Sequence, residues 1–198
     1  MVVRLQAYWA AASVSFLFCA CAVVPRGGEV PTVDPGSVTR FELDGRINLR
    51  VQKDAYTGRV HWEHTEAADE LWFYSPLGTT VAHLRRDDTG ALLVTSEGRE
   101  YRATNLRKLA LEVLGWDLPL EALPYWLRGL QWPGGTPPDE QFDGQGQLMR
   151  LTQSGWLISY LDWAPAGVRG LPSKLDVQGE RLRIRLAVEQ WKVDAAPQ

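Results

Sequence analysis

Cysteine is absent from the sequence after position 21, which excludes a structural disulfide and a cysteine-ligated metal site from the rest of the 198 residues. The G-x-S-x-G, P-loop and G-x-G-x-x-G motifs are also absent, so neither a hydrolase triad nor a nucleotide site has its usual signature. The chain has no basic block and a net charge of −3, which argues against a nucleic-acid partner. We therefore expect no enzyme activity, no catalytic residue, no cofactor and no nucleic acid.

Histidine is scarce as well, and two of its three positions, His61 and His64, lie three residues apart. At first sight such a pair suggests a metal site. The surrounding residues alternate between polar and apolar, which predicts a strand, and side chains three residues apart on a strand point to opposite faces. The two rings therefore cannot bind one ion, and we expect no metal site.

The first 20 residues contain one charge, Arg4, and then an apolar run that is too short to span a bilayer. The run ends at Ala20-Cys21, and a small residue directly before a cysteine resembles a bacterial lipoprotein cleavage site. We expect residues 1–20 to be a lipoprotein signal peptide and Cys21 to be the lipidated first residue after cleavage. The alternative is an ordinary secretory signal that is cut nearby.

The next segment, residues 21–39, is rich in Pro, Gly and Val and shows no periodicity, which predicts a flexible tether. Lipoproteins that stay in the inner membrane usually have Asp directly after the cysteine, so Ala22 favours the outer membrane. Residues 40–194 are long enough and apolar enough to form one domain with a sizeable core.

Ten segments show either strict alternation of apolar and polar residues or a short apolar run between turn residues, and both patterns predict strands. They are residues 41–51, 56–64, 70–74, 80–85, 91–95, 99–103, 147–153, 156–163, 173–178 and 181–191. Most connections between them are only a few residues long, so neighbouring strands must be antiparallel. We interpret the arginine row of the last segment as protection of an exposed sheet edge.

Two segments between the sixth and seventh strands have a helical period instead. Leu106, Leu109 and Val113 are spaced as one face of a helix that ends at Gly115, and a second short helix is predicted over 120–128. Both helices are expected to cover the apolar face of the sheet. A sheet of this size curls, so we predict a mainly β fold with a few helices. It would be an incomplete, half-open antiparallel β-barrel of about ten or eleven strands with a helical lid over an apolar cavity.

The cavity would be lined by apolar side chains that point inward from the strands and helices. The candidates are Leu49, Val60, Trp62, Phe73, Leu109, Val113, Leu123, Trp126 and Ile184. The alternative for each of them is a place in an ordinary packed core.

One turn carries an apolar side chain at a position where water normally selects polar residues. Pro76 and Gly78 predict a turn between two apolar runs, with Leu77 at its tip. Single exposed leucines are common, so Leu77 could fold back over an edge of the core. The other hypothesis is a finger that touches a membrane or an acyl chain.

Several short motifs follow one another in order along residues 41–193. They are Gly45-Arg46, Tyr56 to Trp62, Ser-Pro-Leu-Gly at 75–78, Tyr101 to Ala103, Leu-Gly-Trp-Asp-Leu-Pro at 114–119, Trp126-Leu127-Arg128-Gly129, Gly155-Trp156 with Tyr160, Leu171-Pro172 and a closing strand that ends at Trp191. In this order they are similar to the outer-membrane lipoprotein receptors called LolB, in the LolA/LolB-like family of lipoprotein carriers.

The resemblance implies an incomplete barrel with a helical lid around an apolar cavity for acyl chains. It implies that the chain accepts lipoprotein cargo from a LolA-like periplasmic carrier and inserts it into the inner leaflet of the outer membrane. Leu77, between Pro76 and Gly78, would then contact the phospholipids. The chain would be lipid-anchored in the outer membrane and would face the periplasm; we expect a monomer.

The nine tryptophans also suit a lipid-anchored periplasmic module that binds saccharide or peptidoglycan, because tryptophan rings form sugar platforms. This is the alternative function, and a hydrolase with an unrecognised carboxylate pair is a third. Saccharide binding that does not depend on Leu77 would indicate the module.

Overall fold

Eleven antiparallel strands form one sheet in the computed structural model, which describes residues 30–51, 53–115 and 119–195. The strands are β1 (Val38–Val51), β2 (Asp54–His64), β3 (Asp69–Tyr74), β4 (Thr80–Asp87), β5 (Gly90–Thr95), β6 (Glu100–Ala103), β7 (Asp139–Phe142), β8 (Leu148–Gln153), β9 (Trp156–Asp162), β10 (Lys174–Gln178) and β11 (Leu182–Ala195). Two helices, α1 (Leu106–Leu114) and α2 (Leu123–Leu127), follow β6, and a 3-10 helix at Pro35–Ser37 precedes β1. Among these residues no helix is both long and apolar enough to cross a membrane.

The strands lie across the sheet in the order β6-β5-β4-β3-β2-β1-β11-β10-β9-β8-β7. Pairing of the last strand with the first joins two meanders, and β6 and β7 form the two outer edges. The predicted mainly β fold, an open antiparallel sheet with two helices, is confirmed, and the strand count is eleven.

Because neighbouring strands are antiparallel, the hairpin turns alternate between two ends of the barrel. The turns after β1, β3, β5, β8 and β10 share one end, which we call the mouth end. The turns after β2, β4, β7 and β9 share the other, which we call the base end.

The packed aromatic core lies towards the base end. Phe41 is almost fully buried and meets the rings of Trp62 and Trp191 edge to face, with centroid distances of 5.7 and 5.2 Å. Aromatic pairs in this geometry contribute about 0.5–1.5 kcal/mol beyond the burial of their area. Towards the mouth end, by contrast, Leu49 and Phe73 are only partly buried.

A β-bulge bends β1 at Gly45, where the register with β11 shifts between Asp44 and Gly45. A Cβ atom at position 45 would lie 2.7 Å from the carbonyl oxygen of Ala187, so no other residue fits this close approach. The bulge increases the local twist of the strand pair that joins the two meanders, which favours curling of the sheet.

Both helix predictions hold, with one change of length. The Asn105 side chain caps α1 by accepting the Lys108 N–H at 2.9 Å, and Gly115 ends the helix in the left-handed conformation. α2 is shorter than the predicted 120–128, because residues 120–122 form a turn before it. Pro124 lies in its first turn, where no backbone donor is needed.

The described part of the predicted tether pairs with the domain. Arg169 holds it on both sides: its N–H donates to the Pro31 carbonyl at 2.8 Å and its carbonyl accepts the Val33 N–H at 3.0 Å. β1 then begins at Val38, so the domain starts ahead of residue 40. The predicted signal peptide, Cys21 and residues 22–29 of the tether lie outside the described residues.

Two details of the strand prediction were wrong. No strand was predicted at β7, because all four of its residues are exposed and therefore show no alternation of buried and exposed positions. β11 lies inside the sheet between β1 and β10, so its arginine row does not protect an edge. Instead, Arg183 and Arg185 both donate to the carboxylate of Asp176 on β10.

Candidate functional site: an apolar cavity and the turn at its mouth

An apolar cavity of about 160 Å³ lies between the concave face of the sheet and α2. We call it the inner compartment. Its lining residues, all apolar, are Leu43, Ile47, Leu49, Val51, Val60, Trp62, Leu71, Phe73, Leu84, Leu120, Leu123, Leu127, Leu175, Val177, Leu182, Ile184 and Leu186. They come from strands on both sides of the β1–β11 pair, so the cavity exists only because the sheet curls.

A second apolar cavity of about 300 Å³, the outer compartment, lies between α1 and strands β1 to β5. It is lined by Leu49, Tyr56, Phe73, Val81, Ala82, Leu84, Leu93, Leu109, Ala110, Val113 and Leu120. Leu49, Phe73, Leu84 and Leu120 line both compartments, which therefore adjoin one another.

Eight of the nine residues predicted for the cavity line one or both compartments. Leu109 and Val113 project from α1 into the outer one, and Leu123 projects from α2 into the inner one. The strand residues that line them are Leu49, Val60, Trp62, Phe73 and Ile184.

Trp126 is the exception, and its prediction as a lining residue needs correction. It is fully buried, and its indole N–H donates to Oε1 of Gln153 at 3.0 Å. Leu123 and Leu127 share the cavity face of α2, being four residues apart, whereas Trp126 points towards the β8–β9 hairpin. It fixes α2 to the sheet, helped by the Tyr160 hydroxyl, which donates to the Trp126 carbonyl at 2.9 Å.

Several lining residues were missed by the sequence reasoning. Leu84 lies between His83 and Arg85 on a predicted strand, so alternation contained the signal for its inward direction. Leu71 and Leu93 have apolar neighbours, Trp72 for the first and Leu92 and Val94 for the second, so alternation did not show which way they point. Leu120 was predicted as part of the apolar stripe of the helix over 120–128 but not as a cavity residue; it lies in the turn before α2 and lines both compartments.

Tyr56 carries the one hydroxyl group in the lining, and this group is already paired. It donates to the Tyr74 carbonyl at 2.6 Å, and burial raises the pKa of the Tyr56 phenol. The two compartments thus offer a ligand neither a charged side chain nor a free hydroxyl. Such a lining suits hydrocarbon and disfavours any polar ligand, since burying an unpaired polar group costs about 1–3 kcal/mol or more.

The Ser75–Thr79 turn stands at the mouth end, next to the outer compartment. Its geometry is fixed by two backbone bonds: Gly78 N–H donates to Ser75 at 2.9 Å, and Ser75 N–H donates to Thr79 at 2.8 Å. Leu77 at the tip is 95% exposed, so the hypothesis that it folds back over the core is wrong. Phe73 and Val81, on the strands that flank the turn, line the outer compartment.

A cavity of about 570 Å³, larger than either compartment, lies on the other side of α2, and its lining includes several charged side chains. Its most buried carboxylate is Asp69, which accepts bonds from Trp62 Nε1 at 3.0 Å, His64 Nδ1 at 2.6 Å and Arg86 Nε at 2.9 Å. Burial opposes ionisation, but the bonds from His64, Arg86 and Trp62 together hold the pKa of Asp69 below its ordinary value. Charges line this pocket, so it is not a site for hydrocarbon.

No group of three or more His, Cys, Asp or Glu side chains within the described ranges could hold a metal ion. His61 and His64 lie on opposite faces of β2: His61 bonds Asp44 at 2.8 Å on the convex face, and buried His64 bonds Asp69. The prediction that the two rings point to opposite faces of one strand is confirmed.

Comparison with known proteins agrees with this geometry. Residues 39–191 match the family model described as "Outer membrane lipoprotein LolB". The chain belongs to the LolB family. The outer-membrane lipoprotein LolB of Nitrosomonas europaea is 38% identical over 154 residues, which cover 77% of this chain and 72% of that protein. The LolB of Azoarcus sp. is 34% identical over 154 residues, which cover 78% and 79%.

Among solved structures, the LolA superfamily protein NE2245 from Nitrosomonas europaea matches with a TM-score of 0.49 and 6% identity, covering 85% of this chain and 90% of that one. The family assignment is based on the sequence matches. Membership of the LolB family supports a role in outer-membrane lipoprotein localisation for the chain.

Proposed function

We propose that this LolB-family protein accepts lipoproteins from a LolA-like periplasmic carrier, holds their acyl chains in its two apolar compartments and inserts them into the inner leaflet of the outer membrane. It acts as a carrier and not as an enzyme. The observation that supports this most strongly is the continuous apolar lining around the shared residues Leu49, Phe73, Leu84 and Leu120.

The physical need for a carrier follows from the cost of exposing hydrocarbon. Each methylene group taken from water contributes about 0.8 kcal/mol, so one acyl chain corresponds to roughly 10 kcal/mol. A chain of that length does not cross bulk water at a useful rate. Cargo must therefore pass directly from the cavity of a donor to the cavity of this protein, which requires contact between the two proteins.

Release requires the membrane to compete with the cavity. Leu77 stands exposed at the end of the barrel where the outer compartment lies, so insertion of Leu77 into the bilayer would bring the cargo to its destination. We propose that Pro76, Leu77 and Gly78 form the membrane-contact loop. In this proposal the lipid on Cys21 anchors the chain in the outer membrane, and the domain faces the periplasm as a monomer.

The saccharide alternative has little support from four of the tryptophans. Trp62, Trp126 and Trp191 are buried. Trp72 lies on the convex face between His61 and His83, and the His83 ring stacks on it at a centroid distance of 4.8 Å. A sugar platform needs a free aromatic face, and these four tryptophans do not provide one.

Binding of a fluorescent fatty acid by detergent-free protein tests the cavity. Val113→Lys places a charge in the outer compartment and should weaken binding by more than about tenfold, because an ammonium group must then stay solvated or displace the probe. Leu111→Lys is the matched control, since Leu111 is 45% exposed on the other face of the same helix. Equal binding by both variants, or no binding by the unmodified protein, would refute the carrier function.

Transfer of a lipoprotein from the loaded carrier to this protein and then to vesicles, followed by sedimentation, tests the loop. Leu77→Glu should still accept cargo and fail to deposit it. Thr79→Glu adds the same charge to the same exposed turn and should deposit cargo normally. Normal deposition by Leu77→Glu would exclude the loop from the mechanism.

A further inference from the structure

Five arginines lie in the mouth-end half of the convex face of β1, β2 and β11, opposite the cavity. This arginine face consists of Arg46, Arg50, Arg59, Arg183 and Arg185. Only two carboxylates, Glu189 and Asp176, pair with them. Within this group five cations stand against two anions, an excess of three positive charges, although the whole chain has a net charge of −3. Towards the base end of the same strands, Arg40 and Lys192 pair with Asp194 and Glu42.

Each of the two carboxylates is shared by two arginines. Glu189 accepts from Arg46 Nε at 2.7 Å and from Arg59 Nη2 at 3.1 Å. Asp176 accepts from Arg183 and Arg185, and although burial opposes it, these bonds lower the pKa of the Asp176 carboxyl. One charge in each group thus stays uncompensated.

The register of the sheet places like charges directly opposite one another. Arg46 on β1 faces Arg59 on β2, and Arg50 on β1 faces Arg183 on β11. Arg50 has no ion-pair partner among the described residues. Like charges in directly opposed positions destabilise a sheet by up to about 1 kcal/mol per pair. Glu189 bridges the first pair, whereas no carboxylate bridges Arg50 and Arg183, so Arg50 is the cation of this face that is most available to an anion outside the chain.

The arginine face and Leu77 approach the same end of the barrel. Arg59 pairs in register with Tyr74, the last residue before the Ser75–Thr79 turn, and Leu77 is three residues further, at the tip of that turn. Arg50 and Arg183 lie nearer still to the mouth end, next to the β1–β2 and β10–β11 turns. The charges at those turns cancel, because Lys53 is followed by Asp54 and Glu180 is followed by Arg181.

We propose that the arginine face binds the anionic headgroups of phospholipids and so orients the mouth of the barrel towards the bilayer. The proposal rests on the membrane contact of Leu77 proposed above and adds the lipid class. Guanidinium groups bind phosphate in a bidentate fashion. In a bilayer the charged headgroups lie directly outside the apolar acyl chains, and the arginine face lies in the same way directly behind the apolar tip at Leu77. An acidic protein partner would account for the arginines but not for the exposed apolar side chain of Leu77 near them.

The test measures binding to vesicles by sedimentation, with phosphatidylcholine alone or with added phosphatidylglycerol. It uses the chain from Ala22 onward, which contains every described strand and helix and lacks Cys21. Arg50→Gln/Arg183→Gln removes two cations at the mouth end, and Arg40→Gln/Lys192→Gln removes two from the same strands at the base end. The two double variants have the same net charge.

The mouth-end variant should lose about 25-fold in binding to anionic vesicles, fivefold for each arginine, which corresponds to about 1 kcal/mol per cation near the surface. The base-end variant should change binding by less than about twofold, because its sites lie more than a Debye length from the headgroups, ~10 Å at 0.1 M salt. The difference between the variants should vanish in high salt and on neutral vesicles.

Three results would overturn the proposal. Equal losses in both double variants would indicate net charge alone, and binding that ignores phosphatidylglycerol would exclude headgroup recognition. A mouth-end variant that binds vesicles normally but binds a LolA-like carrier more weakly would make the face a protein-docking site. The proposed membrane contact of Leu77 fails separately, if Leu77→Glu still deposits cargo in neutral vesicles, and the carrier function fails if the unmodified protein binds no fatty acid.

Discussion

The two ends of the barrel are built from the same strands and differ in almost every other respect. The base end is packed around Phe41, Trp62 and Trp191 and contains the buried Asp69 with its three hydrogen-bond donors. The mouth end contains partly buried apolar side chains, the outer compartment and the exposed Leu77. Both ends contain a cavity, but the one at the base end is lined in part by charged side chains and the two at the mouth end are apolar. The comparison teaches that aromatic packing and buried ion pairs can be concentrated at one end while apolar space is kept at the other.

The charges of the two ends differ in the same way. The β2–β3 and β4–β5 turns at the base end contain acidic residues in excess, and the convex face near the mouth end contains the arginine face. A barrel charged in this manner has a preferred orientation in front of an anionic surface, with its mouth towards the surface.

The sharpest way to test the comparison of the two ends is one substitution made at each. Phe41→Ala should lower the free energy of unfolding by about 3–5 kcal/mol, since it removes a fully buried ring that contacts two tryptophans. Phe73→Ala should lower it by only about 1–2 kcal/mol, because the ring is partly buried and borders space that is already empty. Urea denaturation measures both. Equal losses would mean that the mouth end is a packed core like the base.

Asp69 provides the next largest effect. Asp69→Asn should destabilise the protein by about 3 kcal/mol at neutral pH, because it removes one partner of a buried ion pair and leaves Arg86 without its carboxylate. The pKa of Asp69 is lowered in the folded protein, so the stability it contributes is present above its ordinary value of 3.8 and is lost as the pH falls through the folded-state pKa.

The measurement for Asp69 is urea denaturation of both proteins over a pH series. The gap between them should be constant above pH 3.8 and should close below it. Asp44→Asn, on the convex face opposite His61, is the control with a partly exposed carboxylate and should cost less than about 1 kcal/mol. A gap for Asp69→Asn that does not depend on pH would show that its hydrogen bonds, and not its charge, stabilise the base end.

Sequence periodicity predicted most of the fold because most strands have one wet face. β1 alternates over its whole length, which also gave the inward direction of Leu49, and the i, i+3, i+7 spacing of α1 gave that of Leu109 and Val113. β7 was missed, since a fully exposed edge strand has no apolar side from which to detect a period. The position of β11 inside the sheet was missed because alternation gives a strand's faces and not its neighbours.

The residues of the candidate site could be predicted where the period of a strand or helix shows which way a side chain points. Trp126 was misplaced because α2 is buried on more than one side, and helical periodicity shows which residues are apolar but not which buried side borders the cavity. The tip position of Leu77 followed from Pro76 and Gly78. The arginine face could not be found from sequence, since the opposition of Arg50 and Arg183 depends on the pairing of residues far apart in the chain.

The smallest predicted effect concerns the repulsion between Arg50 and Arg183, and it is a gain in stability. Arg50→Gln should raise the free energy of unfolding by about 0.2–1 kcal/mol, because it removes a repulsion with Arg183 and no ion pair of its own. Arg183→Gln is the control: it relieves the same repulsion but loses the bonds to Asp176, so its effect should be neutral or destabilising.

Urea denaturation at low and high salt measures both variants, and the gain of Arg50→Gln should disappear when salt screens the charges. A loss of stability at low salt would show that Arg50 makes a stabilising contact within the domain. The domain would then have its own reason to keep the arginine, and the strain on the sheet would no longer point to a partner outside it.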